Sequence, residues 1–213
     1  MIGNQEAWEA LYRNKDRVWG GTPPSLPKVL LGPRILELGC GDGKSLQLLF
    51  APEREVIAVD WARSALFAGR VRYRSQKVTA QISWVQADAV YLPFRSGTFS
   101  AISLVHILGH LPAASRMPMV GEVMQALIPG GIIIFRDFGS GDMRSGRGET
   151  LEVGTCMRQP GILVHYFTEN EVMELFEDWE LLSLVPHRWS MRIRGKDYCR
   201  EEVVGVFRKG IEI

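Results

Sequence analysis

The chain has 213 residues, of which 46% are hydrophobic, and this composition is typical of a globular protein with a sizeable core. Its 25 basic and 24 acidic residues nearly cancel, which excludes a polyanion-binding charge over the whole surface and leaves only a local one. Cys40, Cys156 and Cys199 are scattered, a pattern that favours neither a disulfide framework nor a zinc site. Nothing near the N-terminus resembles a signal peptide and no apolar run suits a membrane span, so we expect a cytoplasmic protein.

The first half of the chain is predicted to alternate strands with helices. Apolar periodicity and turn residues predict a helix over 5–13, a strand over 34–38, a helix after it, a strand over 55–60, a basic helix over 62–74, and strands near 81–86 and 99–105. This alternation is typical of an α/β domain with a mostly parallel sheet.

The second half of the chain is predicted to end differently. A helix around 119–127 leads through Pro129-Gly130-Gly131 into an apolar strand over 132–135, and a helix over 169–177 follows. Two β-rich segments, 181–185 and 203–207, then lie close enough in the chain to pair antiparallel. We therefore expect the parallel sheet to end in an antiparallel hairpin.

The turn after the first strand carries glycines at 39, 41 and 43. Residues without side chains can adopt positive φ and allow a ligand to approach the main chain closely. The next strand ends on Asp60, whose carboxylate can accept hydrogen bonds from both hydroxyls of a ribose. The alternative is an ordinary strand-to-helix turn with glycines for tight packing, but that alternative does not predict the segments that follow.

Glu37 followed by Gly39-x-Gly41-x-Gly43 resembles the first motif of class I S-adenosylmethionine (SAM) methyltransferases, since the third glycine comes one residue too early for a dinucleotide fingerprint. Asp88-Ala89 and Leu92-Pro93-Phe94 then come in the order that this family keeps. The resemblance implies SAM as cofactor and a Rossmann-like domain over 1–213. It also implies a mostly parallel seven-stranded sheet with an antiparallel C-terminal hairpin and helices on both faces.

The same resemblance assigns residues to the cofactor. It implies that Asp88 and Ala89 lie along the adenine edge, and that Glu37 pairs with the cationic amine of the methionine part. Asp88 could instead cap a turn, and Glu37 could be a buried, hydrogen-bonded acid at a strand end. The residues expected to bind the cofactor are Glu37, Gly39, Cys40, Gly41, Asp60, Trp61, Asp88, Ala89, Val105 and Trp19.

Methyl transfer from a sulfonium is an in-line displacement, so alignment and desolvation are expected to supply most of the catalysis. An acid or a histidine near the methyl group can still hold or deprotonate the acceptor. His106 follows the fourth predicted strand, His110 lies one helical turn further on, and Asp137 follows the fifth strand; these are the catalytic candidates. Each could equally be a structural hydrogen-bonding residue, and no metal site is predicted.

A narrower resemblance lies in the last third of the chain. Arg136-Asp137-Phe138-Gly139, His165-Tyr166-Phe167-Thr168 and Arg194-Gly195-Lys196 resemble motifs of the methyltransferase-like enzymes that make 3-methylcytidine in tRNA. That family has Arg-Asp-Tyr-Gly, so Phe138 is a conservative departure. The resemblance implies a cytidine nitrogen of RNA as methyl acceptor.

The predicted C-terminal hairpin alternates basic with apolar residues. Arg188, Arg192 and Arg194 fall on one face, and Trp189, Met191 and Ile193 fall on the other. The guanidinium groups can bind phosphates, or the hairpin can be an edge with a solvated outer face over a packed inner face.

Two other functions remain open at this point. The first is methylation of a small molecule at nitrogen, oxygen or sulfur, with Tyr12, Arg17 and Trp19 of the N-terminal segment 1–32 forming a lid over SAM; the tryptophans could also simply hold the first helix to the core. The second is a SAM-binding subunit without activity of its own that stabilises a catalytic protein partner. The oligomeric state is not predicted.

Overall fold

The computed structural model describes residues 4–14, 18, 25–27, 29–75, 81–159 and 161–211. Two of the described segments form short 3-10 helices, Leu46–Leu48 and Leu108–His110. The α-helices are α1 (Asn4–Arg13), α2 (Arg63–Ser75), α3 (Ala113–Ala126) and α4 (Glu169–Leu175). The strands are β1 (Arg34–Leu38), β2 (Glu55–Asp60), β3 (Gln81–Gln86), β4 (Phe99–Val105), β5 (Leu127–Phe138), β6 (Glu149–Glu152), β7 (Thr155–Gln159), β8 (Ile162–His165), β9 (Glu180–Ile193) and β10 (Lys196–Arg208).

Seven strands form one sheet in the order β3-β2-β1-β4-β5-β10-β9. The first five of these pair parallel, whereas β10 pairs antiparallel with both β5 and β9. The strand order reverses between β1 and β4, and in open α/β sheets such a point leaves a crevice at the carboxyl ends of the strands. The α/β fold with an antiparallel C-terminal hairpin is confirmed.

Alternation of side chains along the strands builds a core on each face of the sheet. Leu36 and Leu38 of β1 pack with Met119 and Val123 of α3 and with Val172 of α4. Ile35, which precedes Leu36 and therefore faces the other side of the sheet, belongs to a second core that contains residues of the first 3-10 helix and of α2. Helices therefore cover both faces, as expected.

Several elements differ from the sequence-based expectation. The segment after the glycine turn forms only a 3-10 helix, because the turn occupies 41–45 and Pro52 disfavours helical backbone at the residue before it. Helix α3 begins at Ala113 and continues through Pro118, since burial of its apolar face outweighs the missing N–H. Strands β9 and β10 extend well beyond 181–185 and 203–207.

A small antiparallel sheet of β6, β7 and β8 was not predicted from the sequence. Its strands have only four or five residues and are separated by turns at Gly154 and Gly161, so they carry little periodic signal. Strand β8 contacts α1 and the 3-10 helix that contains His110. Within the part of the chain that the model describes, no helix is both long and apolar enough to cross a membrane.

Replacing Phe135 by alanine should lower the free energy of unfolding by about 3–5 kcal/mol. Phe135 is fully buried in β5, with its ring 5.4 Å from Phe167 and 5.8 Å from Phe176, so truncation leaves a cavity between the sheet and α4. Urea denaturation measures the change. Phe67→Ala is the control, because Phe67 is 68% exposed and its loss should change stability by no more than about 0.5 kcal/mol. Equal effects of the two substitutions would contradict the assignment of this core.

Candidate functional site

A cleft of about 600 Å³ lies at the carboxyl ends of β1, β2, β4 and β5. Helix α1 contributes Trp8 and Tyr12 to its wall, and the β9–β10 hairpin contributes Trp189, Met191 and Arg200. Of the residues expected to bind a cofactor, these line the cleft: Gly39, Cys40, Gly41, Asp60, Trp61, Asp88, Ala89 and Val105. Parallel strands that end at one sheet edge therefore bring together residues far apart in the chain.

The glycine turn needs its glycines. Gly39 and Gly41 have φ angles of +73° and +53°, in the left-handed region that side chains disfavour. A Cβ atom on Gly39 would lie 2.8 Å from the Ile107 side chain, and one on Gly41 would collide with the Tyr12 hydroxyl. Cys40 between them is 4% exposed, and burial raises the pKa of its thiol well above the usual value. The turn thus presents main chain, and little side chain, to the cleft.

Asp60 joins the end of β2 to this turn. Its Oδ2 accepts a hydrogen bond from the Gly41 N–H at 2.8 Å, and its Oδ1 accepts one from the Ala62 N–H at 2.9 Å. Burial raises the pKa of Asp60 to about 6, although these backbone N–H groups oppose the shift. Each carboxylate oxygen has a second lone pair, so Asp60 can still accept hydrogen bonds from a pair of ligand hydroxyls.

Glu37 does not reach the cleft surface. It is 1% exposed and lies beneath the turn, where the Ser45 hydroxyl donates to its Oε1 at 2.5 Å. Burial raises the pKa of Glu37 to about 7, and Oε2 has no hydrogen-bond partner among the described residues. Glu37 is thus a buried, hydrogen-bonded acid in β1, and its expected pairing with a cofactor amine stays a prediction.

Asp88 and Ala89 follow β3 at the far side of the cleft. The Asp88 Oδ1 accepts from the Val90 N–H at 3.1 Å, so the turn-capping alternative is present in the structure. Capping and lining the cleft are compatible, because the second carboxylate oxygen takes no part in that bond.

Trp19, which was expected to bind the cofactor, and Arg17, which was expected in the lid, lie outside the described residues.

His106 follows β4 and has a left-handed backbone, with φ of +54°. Its Nε2 donates to Glu202 Oε1 at 3.0 Å, its Nδ1 lies 3.5 Å from Asp137 Oδ1, and its ring lies 4.4 Å from that of Phe138. Burial disfavours the charged ring, but the two carboxylates outweigh burial and raise the pKa of His106 to about 8. His106 is therefore mostly protonated at neutral pH and is not available there as a base.

Asp137 and His110 take structural hydrogen bonds. Asp137 is 1% exposed, is not part of the cleft lining, and accepts from the N–H groups of Gly109 and Phe138 at 2.8 and 2.9 Å. Asp137 thus contacts Gly109 and His106 and lies outside the cleft lining, and its expected contact with a substrate stays a prediction. His110 lines the cleft, and its Nδ1 donates to the Leu163 carbonyl at 2.6 Å; burial lowers the pKa of His110.

Sequence analysis missed Glu202, which lines the cleft opposite Phe138. The Arg136 Nε donates to Glu202 Oε2 at 2.7 Å. Burial opposes ionisation, yet His106 and Arg136 lower the pKa of Glu202 to about 2. Glu202 is therefore ionised and lies between two cationic side chains, His106 and Arg136. Only the register of β10 against β5 brings Glu202 here, and the sequence carries no direct signal for that register.

The hairpin end of the cleft is aromatic and basic. Arg144 lies 4.1 Å above the ring of Phe138, and Arg200 lies 5.2 Å from the ring centroid of Trp189. Trp189 and Met191 line the cleft and are not packed inside a core, which corrects the alternative of a packed inner hairpin face. The arginines of the other face are exposed: Arg188 pairs with Glu201, Arg192 lies 3.5 Å from Asp197, and Arg194 occupies the turn.

The sheet order, the glycine turn and the acid at the end of β2 are those of class I SAM-dependent methyltransferases. The family model for a methyltransferase domain matches residues 35–131, just under half of the chain. These residues thus have the features of a methyltransferase domain, for which SAM is the cofactor. The resemblance stated from the sequence is confirmed.

Individual relatives resemble more of the chain. A tRNA N(3)-methylcytidine methyltransferase of Drosophila melanogaster is 28% identical over 92% of this chain and 66% of its own length. A ubiquinone/menaquinone biosynthesis C-methyltransferase of Saccharophagus degradans is 27% identical over 57% of this chain and 49% of its own. The crystal structure of a SAM-dependent methyltransferase from Methanosarcina mazei superimposes with a TM-score of 0.71 at 22% identity, over 89% of this chain and all of that one. This chain therefore spans just under two thirds and about half, respectively, of the two sequence relatives.

The bridge from His106 to the two carboxylates should make stability depend on pH. A histidine whose pKa rises from 6.5 in the unfolded chain to about 8 in the folded protein stabilises the fold fully below about pH 6.5, and this contribution is lost as pH rises through 8. Between about pH 6 and about pH 9, the wild type should lose about 2 kcal/mol of unfolding free energy more than His106→Gln does.

Chemical denaturation at the two pH values measures this difference. His187→Gln is the control, since it also replaces a cleft-lining histidine, but one that is exposed and has no carboxylate bridge among the described contacts; it should retain the wild-type pH dependence. An equal pH dependence of His106→Gln and the wild type would show that the bridge does not hold a proton.

Proposed function

We propose that the protein transfers the methyl group of SAM to a ring nitrogen of cytidine in RNA. The similarity to a fly enzyme named for tRNA N(3)-methylcytidine supports this proposal, because it extends over 92% of the chain and thus into the hairpin end of the cleft. A relative that matches less of the chain carries less information about the acceptor.

The observation that carries the proposal is the composition of that hairpin end. The rings of Phe138 and Trp189 and the guanidinium planes of Arg144 and Arg200 line one continuous cleft with the glycine turn. Aromatic rings and arginine planes are the groups on which unstacked RNA bases are held. A flipped nucleotide would enter from the hairpin, where Arg192 and Arg194 are exposed.

The described residues fit SAM at the other end of the cleft. The turn at Gly39 and Gly41 lines the cleft, and Asp60 has free lone pairs for ribose hydroxyls. Asp88 and Ala89 would contact adenine, while Cys40, Trp61 and Val105 would line the site. Glu37 would support the turn from beneath through Ser45 rather than contact the cofactor. When bound, SAM supplies a methyl group on a positively charged sulfur with a neutral leaving group.

The chain's own residues would then position and stabilise the acceptor. The N3 of cytidine carries a lone pair at neutral pH, so no base is needed, in agreement with a protonated His106. Transfer moves positive charge onto the acceptor ring, and Glu202, which stays ionised in the cleft, would stabilise that charge. Trp8 and Tyr12 would help to exclude water from the cofactor end.

A small-molecule acceptor is the second candidate. The observation that favours it is Tyr12, whose hydroxyl lies directly over Gly41, so that segment 1–32 would act as a lid. The similarity to a quinone-biosynthesis methyltransferase of Saccharophagus degradans also supports it. An enclosed site of this kind would methylate its acceptor without any macromolecule.

We further propose that residues 1–213 act as one methyltransferase domain in the cytoplasm. Support for one domain comes from α1, which packs on α2 and lines the same cleft as the C-terminal hairpin. Support for the compartment comes from the free thiols of Cys40, Cys156 and Cys199, the last of which is exposed.

Transfer of a radiolabelled methyl group from SAM into a cell extract tests the proposal directly. The extract is separated into RNA, protein and small molecules after the reaction. Label in nuclease-sensitive RNA, mapped to cytidine, is the expected result. Label only in the small-molecule fraction would replace the RNA proposal by the second candidate. Tight SAM binding without any transfer would indicate a subunit that needs a catalytic partner.

Replacing Asp60 by alanine should weaken SAM binding by about 1.5–3 kcal/mol, or roughly 10- to 150-fold in dissociation constant, because a buried acceptor of ligand hydroxyls is lost. Isothermal titration calorimetry measures the affinity. Glu55→Ala is the matched control, since Glu55 lies at the opposite end of β2 and pairs with Arg34 at the surface. Unchanged SAM affinity in Asp60→Ala would overturn the placement of the ribose.

A further inference from the structure

Two arginines at the hairpin end of the cleft converge on one buried carboxylate. Arg144 Nε lies 2.9 Å from Asp142 Oδ1, and Arg200 Nε lies 2.7 Å from Asp142 Oδ2. The Asp142 side chain is fully buried, and both arginines line the cleft. Burial would raise the pKa of Asp142, but the hydrogen bonds from the two arginines outweigh it and keep that pKa low. One carboxylate thus fixes the direction of two guanidinium groups.

Each guanidinium group donates its Nε–H to Asp142, and its Nη N–H groups take no part in that hydrogen bond. Arg144 Nη2 is buried and has no hydrogen-bond partner among the described residues. Arg200 Nη1 contacts the Met191 sulfur, a weak acceptor, at 3.8 Å. Phe138 and Trp189 hold the two planes in place by cation–π contact. Buried donors without acceptors are costly, so a ligand that supplies acceptors would gain from binding here.

The charge of this end of the cleft is not balanced by the described residues. Arg136, Arg144, Arg200 and protonated His106 face the carboxylates of Asp137, Asp142 and Glu202, which leaves one positive charge in excess. SAM brings a sulfonium next to them. A neutral acceptor would leave this excess uncompensated in a partly buried site, whereas an anionic acceptor would neutralise it.

We propose that Arg144 and Arg200 bind an oxyanion carried by the methyl acceptor close to its reacting ring. This inference rests on the proposed methyl transfer and adds the chemical class of the acceptor. The oxyanion is a phosphate or a carboxylate, which arginine pairs bind through several parallel hydrogen bonds. Its source is the backbone of RNA beside the target cytidine, or the charged group of a small acceptor.

Equilibrium binding tests the inference without turnover. Protein saturated with S-adenosylhomocysteine is titrated with cytidine 5′-monophosphate and with cytidine in a calorimeter. The wild type should bind the monophosphate about tenfold or more tightly than the nucleoside. Arg144→Gln should lose this preference, and Arg144→Lys should recover part of it, because lysine keeps the charge and loses the fork.

Arg147→Gln is the matched control. Arg147 lies in the same loop, is exposed and does not line the cleft, so its loss should leave the preference unchanged. An unaltered affinity of Arg144→Gln for S-adenosylhomocysteine shows that the fold is intact; Arg200 is avoided because its buried bond to Asp142 also supports the hairpin. Equal binding of monophosphate and nucleoside, no monophosphate binding at millimolar concentration, or an unchanged preference in Arg144→Gln would each overturn the inference.

Measuring methyl transfer then distinguishes the two sources of the oxyanion, RNA and a small acceptor. It also distinguishes a failure of the arginine site from a failure of the proposed RNA function. With RNA as acceptor, Arg144→Gln should raise KM roughly tenfold or more and change kcat little. Labelled RNA with an unchanged KM would refute the arginine site and keep the RNA function. Label confined to small molecules that bind an anion exchanger would refute the RNA function and keep the arginine site. A neutral labelled product would refute both.

Discussion

The antiparallel pairing of β10 with β5 is the contact on which the acceptor half of the cleft depends. It places Glu202 opposite Phe138 and next to Arg136, and it extends the hairpin so that Trp189 and Arg200 reach the cleft. The parallel half of the sheet would form a complete cofactor end without this pairing, since the glycine turn and Asp60 belong to β1 and β2. Under the proposed function, acceptor recognition is an addition at one sheet edge to a nucleoside-binding core.

The two ends of the cleft use buried charge in opposite ways. At the cofactor end, burial outweighs the hydrogen bonds to Glu37 and Asp60 and raises both pKa values toward neutrality. At the acceptor end, cations outweigh burial and keep Glu202 and Asp142 ionised. In the first arrangement, Glu37 and Asp60 accept hydrogen bonds from Ser45 and from backbone N–H groups, and neither has an ion pair among the described contacts. In the second arrangement, Glu202 and Asp142 are already ion-paired with neighbouring cations. They therefore present a fixed electrostatic environment to an acceptor ring that binds there.

The sequence was sufficient for the sheet and for most of the cofactor end, because those features depend on local patterns. Strands over 34–38, 55–60, 81–86 and 99–105 follow from apolar runs between turn residues, and glycines before an acidic strand end define the turn. The β6–β8 sheet was missed because its strands are short. Glu202 and the pair of Arg144 and Arg200 were missed because their proximity depends on strand register and on a loop. The burial of Asp137 could not be predicted, because a motif specifies adjacency in the chain but not whether the side chain faces the cleft or the interior.

The left-handed backbone of His106 has a consequence for how this protein can be altered. A residue with a side chain in that conformation costs about 1–2 kcal/mol, which glycine would largely avoid. Glycine or asparagine after β4 would relieve this backbone cost, but either would remove the imidazole that links Asp137 to Glu202 and with it the stability that the bridge contributes below about pH 8. The end of β4 thus keeps a strained backbone together with an ion-paired side chain, so engineering of this scaffold should hold residue 106 constant.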